Sequence, residues 1–270
     1  MNAEEFNFIS LLLKKRSGLA IDTDKTYLLE SRLLPIARQC GVQDLSEFVQ
    51  LLKTKPAENV IAEVVDAMTT NESMFFRDKK PFDQLRQIIL PRIKKIHRSG
   101  KIRIWCAACS NGQEPYSVAM ALLEEAENMA GFTYEILATD ISLRVLAKAK
   151  EGLYSQFEVQ RGLPVQMLLK YFQQKPGALW QVNAILQDMV TFRQQNLLDD
   201  LTKLGKFDII LCRNVLIYFD DPMKRAILGR ISQLLHPESV LMLGSAETVI
   251  GISDKYQLLG NERGIHILAV

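Results

Sequence analysis

Two rhythms of apolar residues divide the chain. Up to about residue 70 the apolar positions recur at helical spacing. Phe6, Ile9, Leu12 and Leu13 open the series, and Lys14-Lys15-Arg16-Ser17-Gly18 closes it with basic residues and a glycine stop. A second helix is predicted from Lys25 to Cys40, with Gly41 behind it. A third covers Leu45 to Lys53 ahead of Pro56, and a fourth, Asn59 to Met68, carries Val60, Ile61, Val64 and Val65. No strand-like alternation interrupts them, so residues 1–75 read as an all-helical domain. Pro81 and Pro91 flank a further predicted helix near Phe82–Leu90.

From Lys101 the rhythm changes. Short apolar runs at Ile102–Trp105, Tyr134–Thr139, Thr191–Gln195, Phe207–Leu211 and Val240–Leu243 alternate with helical stretches near Tyr116–Met129, Leu143–Lys150 and Pro222–Leu235. Strand and helix in alternation predict a mostly parallel sheet with helices on both faces. Tyr256–Leu259 and Ile265–Val270, around a Gly260–Gly264 turn region, predict a closing antiparallel hairpin. Residues 168–190, with Pro176-Gly177 inside them, break the alternation and read as a small β insertion. The expected fold is therefore α/β: a doubly wound sheet over residues 76–270, preceded by the all-helical domain.

Composition narrows the function classes. A chain of 270 residues suits one large and one small domain, and 48% hydrophobic content is enough for a sizeable core. A formal net charge of +2 argues against a protein built to neutralise many phosphates, so no nucleic-acid partner is expected. The N-terminus carries no basic segment followed by an apolar core, and no apolar run approaches the roughly 20 residues needed to span a bilayer. The expectation is a cytoplasmic protein without direct membrane insertion. Its four cysteines, Cys40, Cys106, Cys109 and Cys212, are then expected to be reduced.

Doubly wound sheets bind ligands beyond the carboxyl ends of their central strands. After the first strand comes Cys106-Ala107-Ala108-Cys109-Ser110-Asn111-Gly112-Gln113-Glu114-Pro115-Tyr116, whose small residues allow a ligand close to the backbone. It has one glycine where a dinucleotide loop has three, which weakens a nicotinamide or flavin reading. Asp140, after the second strand, can accept hydrogen bonds from both hydroxyls of a ribose; Asp140 or Ser142 could equally cap the next helix. Arg213 and Asn214 directly follow the apolar Phe207–Leu211 run. Ahead of the sheet, Thr69–Asp78 mixes polar and aromatic groups, which a plain domain linker with a capping serine would also explain.

Trp105-Cys106-Ala107-Ala108-Cys109 matches a thioredoxin-like redox motif. Such thiols sit at a helix N-terminus, whereas here the helix is predicted to begin near Pro115, leaving the pair in a loop. His97, His236 and His266 are isolated from one another and read as surface or cap residues. No metal site is expected.

Taken together, Thr70-Asn71-x-Ser73-x-Phe75-Phe76-Arg77, Ser110-Asn111-Gly112-Gln113-Glu114-Pro115-Tyr116-Ser117, Thr139-Asp140-Ile141, Cys212-Arg213-Asn214-Val215-Leu216-Ile217-Tyr218-Phe219 and Gly244-Ser245-Ala246-Glu247 resemble the chemotaxis-receptor methyltransferases, the CheR family. The resemblance runs in order over nearly the whole chain. It implies a class I S-adenosylmethionine methyltransferase sheet, S-adenosylmethionine as cofactor, and a cofactor site of Asn71, Ser73, Arg77, Glu114, Asp140, Asn196, Leu197, Arg213 and Asn214. Glu114 would contact the methionine part, Asp140 the ribose, and Asn196 with Leu197 the adenine. Ser73 stands where family members commonly have Thr, which keeps the hydroxyl.

The implied reaction is esterification of receptor glutamates, and it needs no nucleophile–base pair. A glutamate of pKa about 4.3 is already ionised at neutral pH, and the cofactor activates its own methyl group. Arg77 could orient the incoming carboxylate and Tyr218 the methyl or sulfur, which makes these two the candidate catalytic residues; Tyr218 also reads as a core aromatic. The implied partner is the cytoplasmic domain of methyl-accepting chemotaxis receptors, with regulatory adaptor proteins as a further class. Lys25, Arg32 and Arg38 could meet an acidic receptor helix or form a solvated face. Methylation of RNA or a small molecule, and a non-catalytic cofactor-binding scaffold, are the competing readings.

Overall fold

In a computed structural model, which describes residues 1–269, the chain forms two compact units. One comprises Met1–Thr70 together with Tyr218–Met223; the other comprises Asn71–Ile217 and the chain from Lys224 onward. The division falls at Thr70–Asn71, not at the expected residue 75, so the whole Asn71–Arg77 segment belongs to the sheet unit.

Four helices build the first unit: α1 (Ala3–Ser17), α2 (Thr26–Gln39), α3 (Leu45–Thr54) and α4 (Glu58–Met68). Local chemistry sets their ends. Asn2 and Glu5 form a reciprocal capping box at the start of α1, and Gly18 closes it at φ 77°. Their apolar stripes meet at Ile9, Leu13, Leu29, Phe48 and Val64, all 0% exposed. Arg32 does not serve a solvated face. Its Nη1 donates to the carbonyls of Ala67, Met68 and Thr69 at 3.2–3.4 Å, capping the end of α4, where a cation is favoured. The return segment is bound into the same unit. Ala20 N–H donates to the Tyr218 carbonyl at 3.2 Å, Lys14 pairs with Asp220 at 2.6 Å, and Phe219 is buried.

The second unit begins with α5 (Lys80–Gln84) and α6 (Leu90–Ile96), joined by a π-helical turn over Leu85–Ile89. Pro91, expected to end the helix, lies instead in the first turn of α6, directly after the π-helical turn, where a changed hydrogen-bond pattern accommodates a residue without an N–H. Then follow β1 (Gly100–Ala107), α7 (Gln113–Glu124), β2 (Phe132–Asp140), α8 (Leu143–Glu151), β3 (Leu153–Ser155), α9 (Gln156–Gln160), α10 (Val165–Tyr171), β4 (Phe172–Lys175), β5 (Leu179–Val182), α11 (Ala184–Met189), β6 (Val190–Gln194), β7 (Phe207–Cys212), α12 (Asp221–Ser232), β8 (Leu235–Leu243), β9 (Tyr256–Leu259) and β10 (Glu262–Leu268).

The main sheet has the order β6-β2-β1-β7-β8-β10-β9, parallel except for β10, which runs antiparallel to both neighbours. This is the doubly wound sheet expected. β1 lies inside the sheet, between β2 and β7, and reads apolar because both its faces are covered: Ile104, Trp105, Cys106 and Ala107 are 0% exposed. Trp105 stacks on Phe207 at 5.8 Å and donates its indole N–H to Thr139 Oγ1 at 2.9 Å, which satisfies its one buried polar atom.

The small β insertion differs from expectation in extent. Its sheet, β3-β5-β4, starts at Leu153, and the second half of the 168–190 stretch is the helix α11. Among the described residues no helix is long and apolar enough to cross a membrane.

Candidate functional site

Register brings the implied residues to one edge. Ala107 pairs with Thr139 on one side and with Cys212 on the other. The next residues, Ala108, Asp140 and Arg213, therefore leave the sheet side by side.

Beyond β1 the chain turns through left-handed backbone at Ala108 (φ 56°), Ser110 (φ 49°) and Gly112 (φ 89°). Asp140 holds this turn: its Oδ2 accepts from Ser110 N–H at 2.9 Å and its Oδ1 from Ser142 N–H at 3.0 Å. Ser142 is the residue that caps α8, accepting from Val145 N–H, so Asp140 is not the cap. Ser110 Oγ donates to the Asn71 carbonyl at 2.8 Å, drawing the segment before α5 to the loop. Gln195 N–H donates to the Asp140 carbonyl at 3.0 Å, which sets Asn196 and Leu197 beside Asp140. Asn196 Oδ1 accepts from Leu198 N–H at 3.0 Å, turning the chain there, and Leu197 is buried.

A second cluster centres on Arg213, whose side chain is 0% exposed. Its guanidinium donates to Glu114 Oε2 at 2.6 Å, to Asp78 Oδ2 at 2.9 Å and to the Arg77 carbonyl at 3.0 Å, and lies 5.7 Å from the Phe82 ring centroid. Burial pushes the Glu114 carboxyl above its ordinary range, and Arg213 opposes that shift. Arg213 thus orders the protein through both of its terminal nitrogens. Two carboxylates share one buried cation here, and Asp140 stands nearby.

Glu247 orders the other side of Arg213. Its carboxylate accepts from the N–H groups of Gly244 (2.7 Å), Asn214 (2.8 Å), Val215 (2.9 Å) and Leu216 (2.7 Å). Asn214 sits at φ 57°, and a Cβ at Gly244 would come within 2.9 Å of its backbone nitrogen.

The segment ahead of α5 is contorted as well: Phe76, Asp78 and Lys79 have φ of 48°, 69° and 50°. Among the described residues, six of the seven non-glycine residues in left-handed backbone lie in these three segments, where packing and hydrogen bonds must hold conformations of poor intrinsic energy. Phe75 packs edge-on against Tyr154 and Phe172 at 5.0 and 5.5 Å, Phe76 N–H donates to Ser117 Oγ at 3.0 Å, and a Cβ at Gly162 would run into the Phe75 carbonyl. Ser73 is half-buried there. Arg77 is held through its carbonyl, while its guanidinium makes one hydrogen bond, to the Glu72 carbonyl at 3.3 Å.

The structure therefore gathers Asn71, Glu114, Asp140, Asn196, Leu197, Arg213 and Asn214 around one sheet edge. Tyr218 lies in the helical unit. Sequence reasoning gave no role to Asp78, Phe82 or Glu247; only the Gly244–Glu247 motif pointed toward the last. His266, expected as a surface or cap residue, lies within β10 and is 3% exposed, because β10 lies between two strands rather than at the edge. Cys106 lies in β1 and Cys109 just beyond it. Burial pushes both thiols well above their usual range, the opposite of what a redox pair requires.

Residues 71–265 match the family described as CheR methyltransferase, SAM binding domain, and residues 4–69 match CheR methyltransferase, all-alpha domain. The chain belongs to the CheR methyltransferase family. It is 42% identical to a chemotaxis protein methyltransferase of Pseudomonas aeruginosa and 40% identical to one of Pseudomonas putida, over 97% of this chain and 96% of each relative. A chemotaxis protein methyltransferase of Borreliella burgdorferi is 37% identical over 92% of this chain and 89% of its own. This member is thus an S-adenosylmethionine-dependent methyltransferase of chemotaxis. The donor set fits that cofactor: buried or half-buried carboxylates outnumber the one locked arginine, which suits a ligand carrying a sulfonium, an ammonium and a ribose diol.

Proposed function

We propose that the enzyme esterifies glutamate side chains in the cytoplasmic domain of methyl-accepting chemotaxis receptors, and that it acts in the cytoplasm. The products are glutamyl methyl esters and S-adenosylhomocysteine. Arg77 carries the reading. Its backbone is fixed by the Arg213 clamp at 3.0 Å, yet its guanidinium, with five N–H donors, spends one on a long bond to Glu72. A fixed base with an available cationic head suits the binding of an incoming carboxylate.

S-adenosylmethionine supplies a methyl group on positively charged sulfur, which leaves as a neutral thioether. The glutamate oxygen is the nucleophile as it stands, so the protein removes no proton. Its residues align and exclude water. Glu114 would face the cationic end of the cofactor, Asp140 the ribose hydroxyls, and Asn196 with Leu197 the adenine. Asn71, Ser73, Arg213 and Asn214 would complete the wall, Arg77 would orient the acceptor, and the Tyr218 hydroxyl would position the methyl or sulfur.

The test is incubation with methyl-labelled cofactor and a receptor cytoplasmic fragment. Label should enter the fragment and be released by mild base as methanol. Label that resists base, or that enters RNA or a small molecule instead, overturns the reading. Measurable cofactor binding with no transfer to any acceptor favours a scaffold.

A further inference from the structure

Within the sheet unit, α5, the end of β8, the turn after it and the β9–β10 hairpin enclose a cavity of about 530 Å³. It shares Asp78 with the Arg213 cluster and Glu247 with the β7 exit. Both acids are already committed, one to Arg213 and the other to four backbone N–H groups.

The cations on its wall are not committed. Among the described residues, the side chains of Lys80 and Arg263 have neither an ion pair nor a hydrogen bond, and both residues are exposed. The charged side chains this wall leaves unpaired are therefore the two cations, although acids and bases both line it. Its rim is apolar: Ile250 is 75% exposed and Leu258 37%. The wall behind is firm. Gln84, 6% exposed, donates to Glu262 Oε2 at 3.0 Å and to the Arg263 carbonyl at 3.2 Å, which fixes α5 against β10.

We propose that this cavity is an acceptor subsite, occupied by the part of the substrate protein that flanks the methylated glutamate. An acidic side chain meets Lys80 and Arg263, and an apolar neighbour covers Ile250 and Leu258. An inorganic anion would have no use for the apolar rim, and an uncharged apolar segment would leave the two cations unpaired. The cavity lies beside Asp78, the residue after Arg77, so a chain whose carboxylate reaches Arg77 passes close to it. The inference rests on the protein-carboxylate reading above.

The full-length Lys80→Glu/Arg263→Glu variant tests it against a receptor cytoplasmic fragment. KM for the fragment should rise roughly five- to tenfold, the range of two partly exposed charge contacts, with kcat and cofactor affinity held. The salt dependence of KM should flatten. Ile250→Asn, at an exposed rim position that leaves the core intact, should raise KM without changing that salt dependence. Changing acidic residues beside the acceptor glutamate to Gln should raise KM for the wild type and not for the charge-reversed variant.

Unchanged KM in a folded double variant overturns the subsite while the receptor-ester reading stands. So does a rise that the acceptor changes fail to reproduce. A wild type that forms no base-labile ester on the fragment overturns that reading, and the subsite with it.

Discussion

Two carboxylates gather backbone N–H groups at the sheet edge, on opposite sides of β1 and β7. Asp140 takes one N–H from each of two loops, at 2.9 and 3.0 Å, and stands at the end of its own strand. Glu247 reaches back from a turn and takes four N–H groups within 2.7–2.9 Å. A carboxylate has about four acceptor positions, so Glu247 is filled by protein. Asp140 thus ties together the loops that follow β1 and β2, whereas Glu247 ties the exit of β7 to the turn after β8. Arg213 belongs with Glu247: a buried cation with protein partners on each of its terminal nitrogens.

The largest effect should come from Arg213→Ala. Glu114 and Asp78 lose their shared cation, and stability should fall by about 3–5 kcal/mol in urea unfolding. Arg213→Lys should recover only part of this, since a point charge does not span two carboxylates and a carbonyl. Wild-type unfolding of the alanine variant would show that the cluster does not hold the wall.

Next, Glu247→Gln turns an amide group toward N–H donors and should cost about 2–3 kcal/mol of stability. Asp140→Asn should reverse the proportions: a small loss of stability, and cofactor affinity down on the order of tenfold to a hundredfold by calorimetry. Equal losses in both assays for both variants would erase the distinction between the two sides.

Gly112→Ala should destabilise by about 1–3 kcal/mol. The residue sits at φ 89°, and its new Cβ would lie 2.9 Å from Ala149 Cβ. A thermal melt within error of wild type contradicts this.

The smallest effect concerns pH. Glu114 titrates above the ordinary carboxylate range, mainly through burial, so its ionised form is lost earlier than usual as pH falls. Cofactor affinity should weaken through that window, and Glu114→Gln should bind more weakly but without that dependence. A variant that keeps the wild-type pH profile would place the titrating group elsewhere. The sign for stability is opposite: a raised carboxyl binds protons more readily in the folded state, so lowering pH through the window removes an unfavourable buried charge.

How far these features were legible depended on the range of the interaction. The helices of the first unit and the strands β1, β2, β7 and β8 follow from apolar spacing. Asp140 stood out because an acid at a strand end has a position-specific meaning. β3 is three residues long, too short for alternation to show, so the insertion appeared to begin later than it does. Arg213 is placed at the sheet edge by its position after β7, but nothing local reveals its partners Asp78 and Glu114, which are 135 and 99 positions away. Arg32 looked like a surface cation because the helix end it caps arrives 35 to 37 residues later. Asn71–Arg77 was legible as a motif, but the left-handed turns at Phe76 and, just beyond the motif, at Asp78 carry no glycine to announce them.

The segment Tyr218–Met223 has a consequence for how the protein is made. The first 70 residues leave the ribosome early, but their unit is completed only when six residues from nearly 150 positions later arrive. At about 5–20 residues per second, that is a wait of roughly 7–30 s. During it, the surface that Phe219 will cover and the Lys14 ammonium that Asp220 will pair stand open. A nascent chain stalled before residue 218 should therefore be cut by protease within its four-helix part more readily than one stalled beyond residue 223.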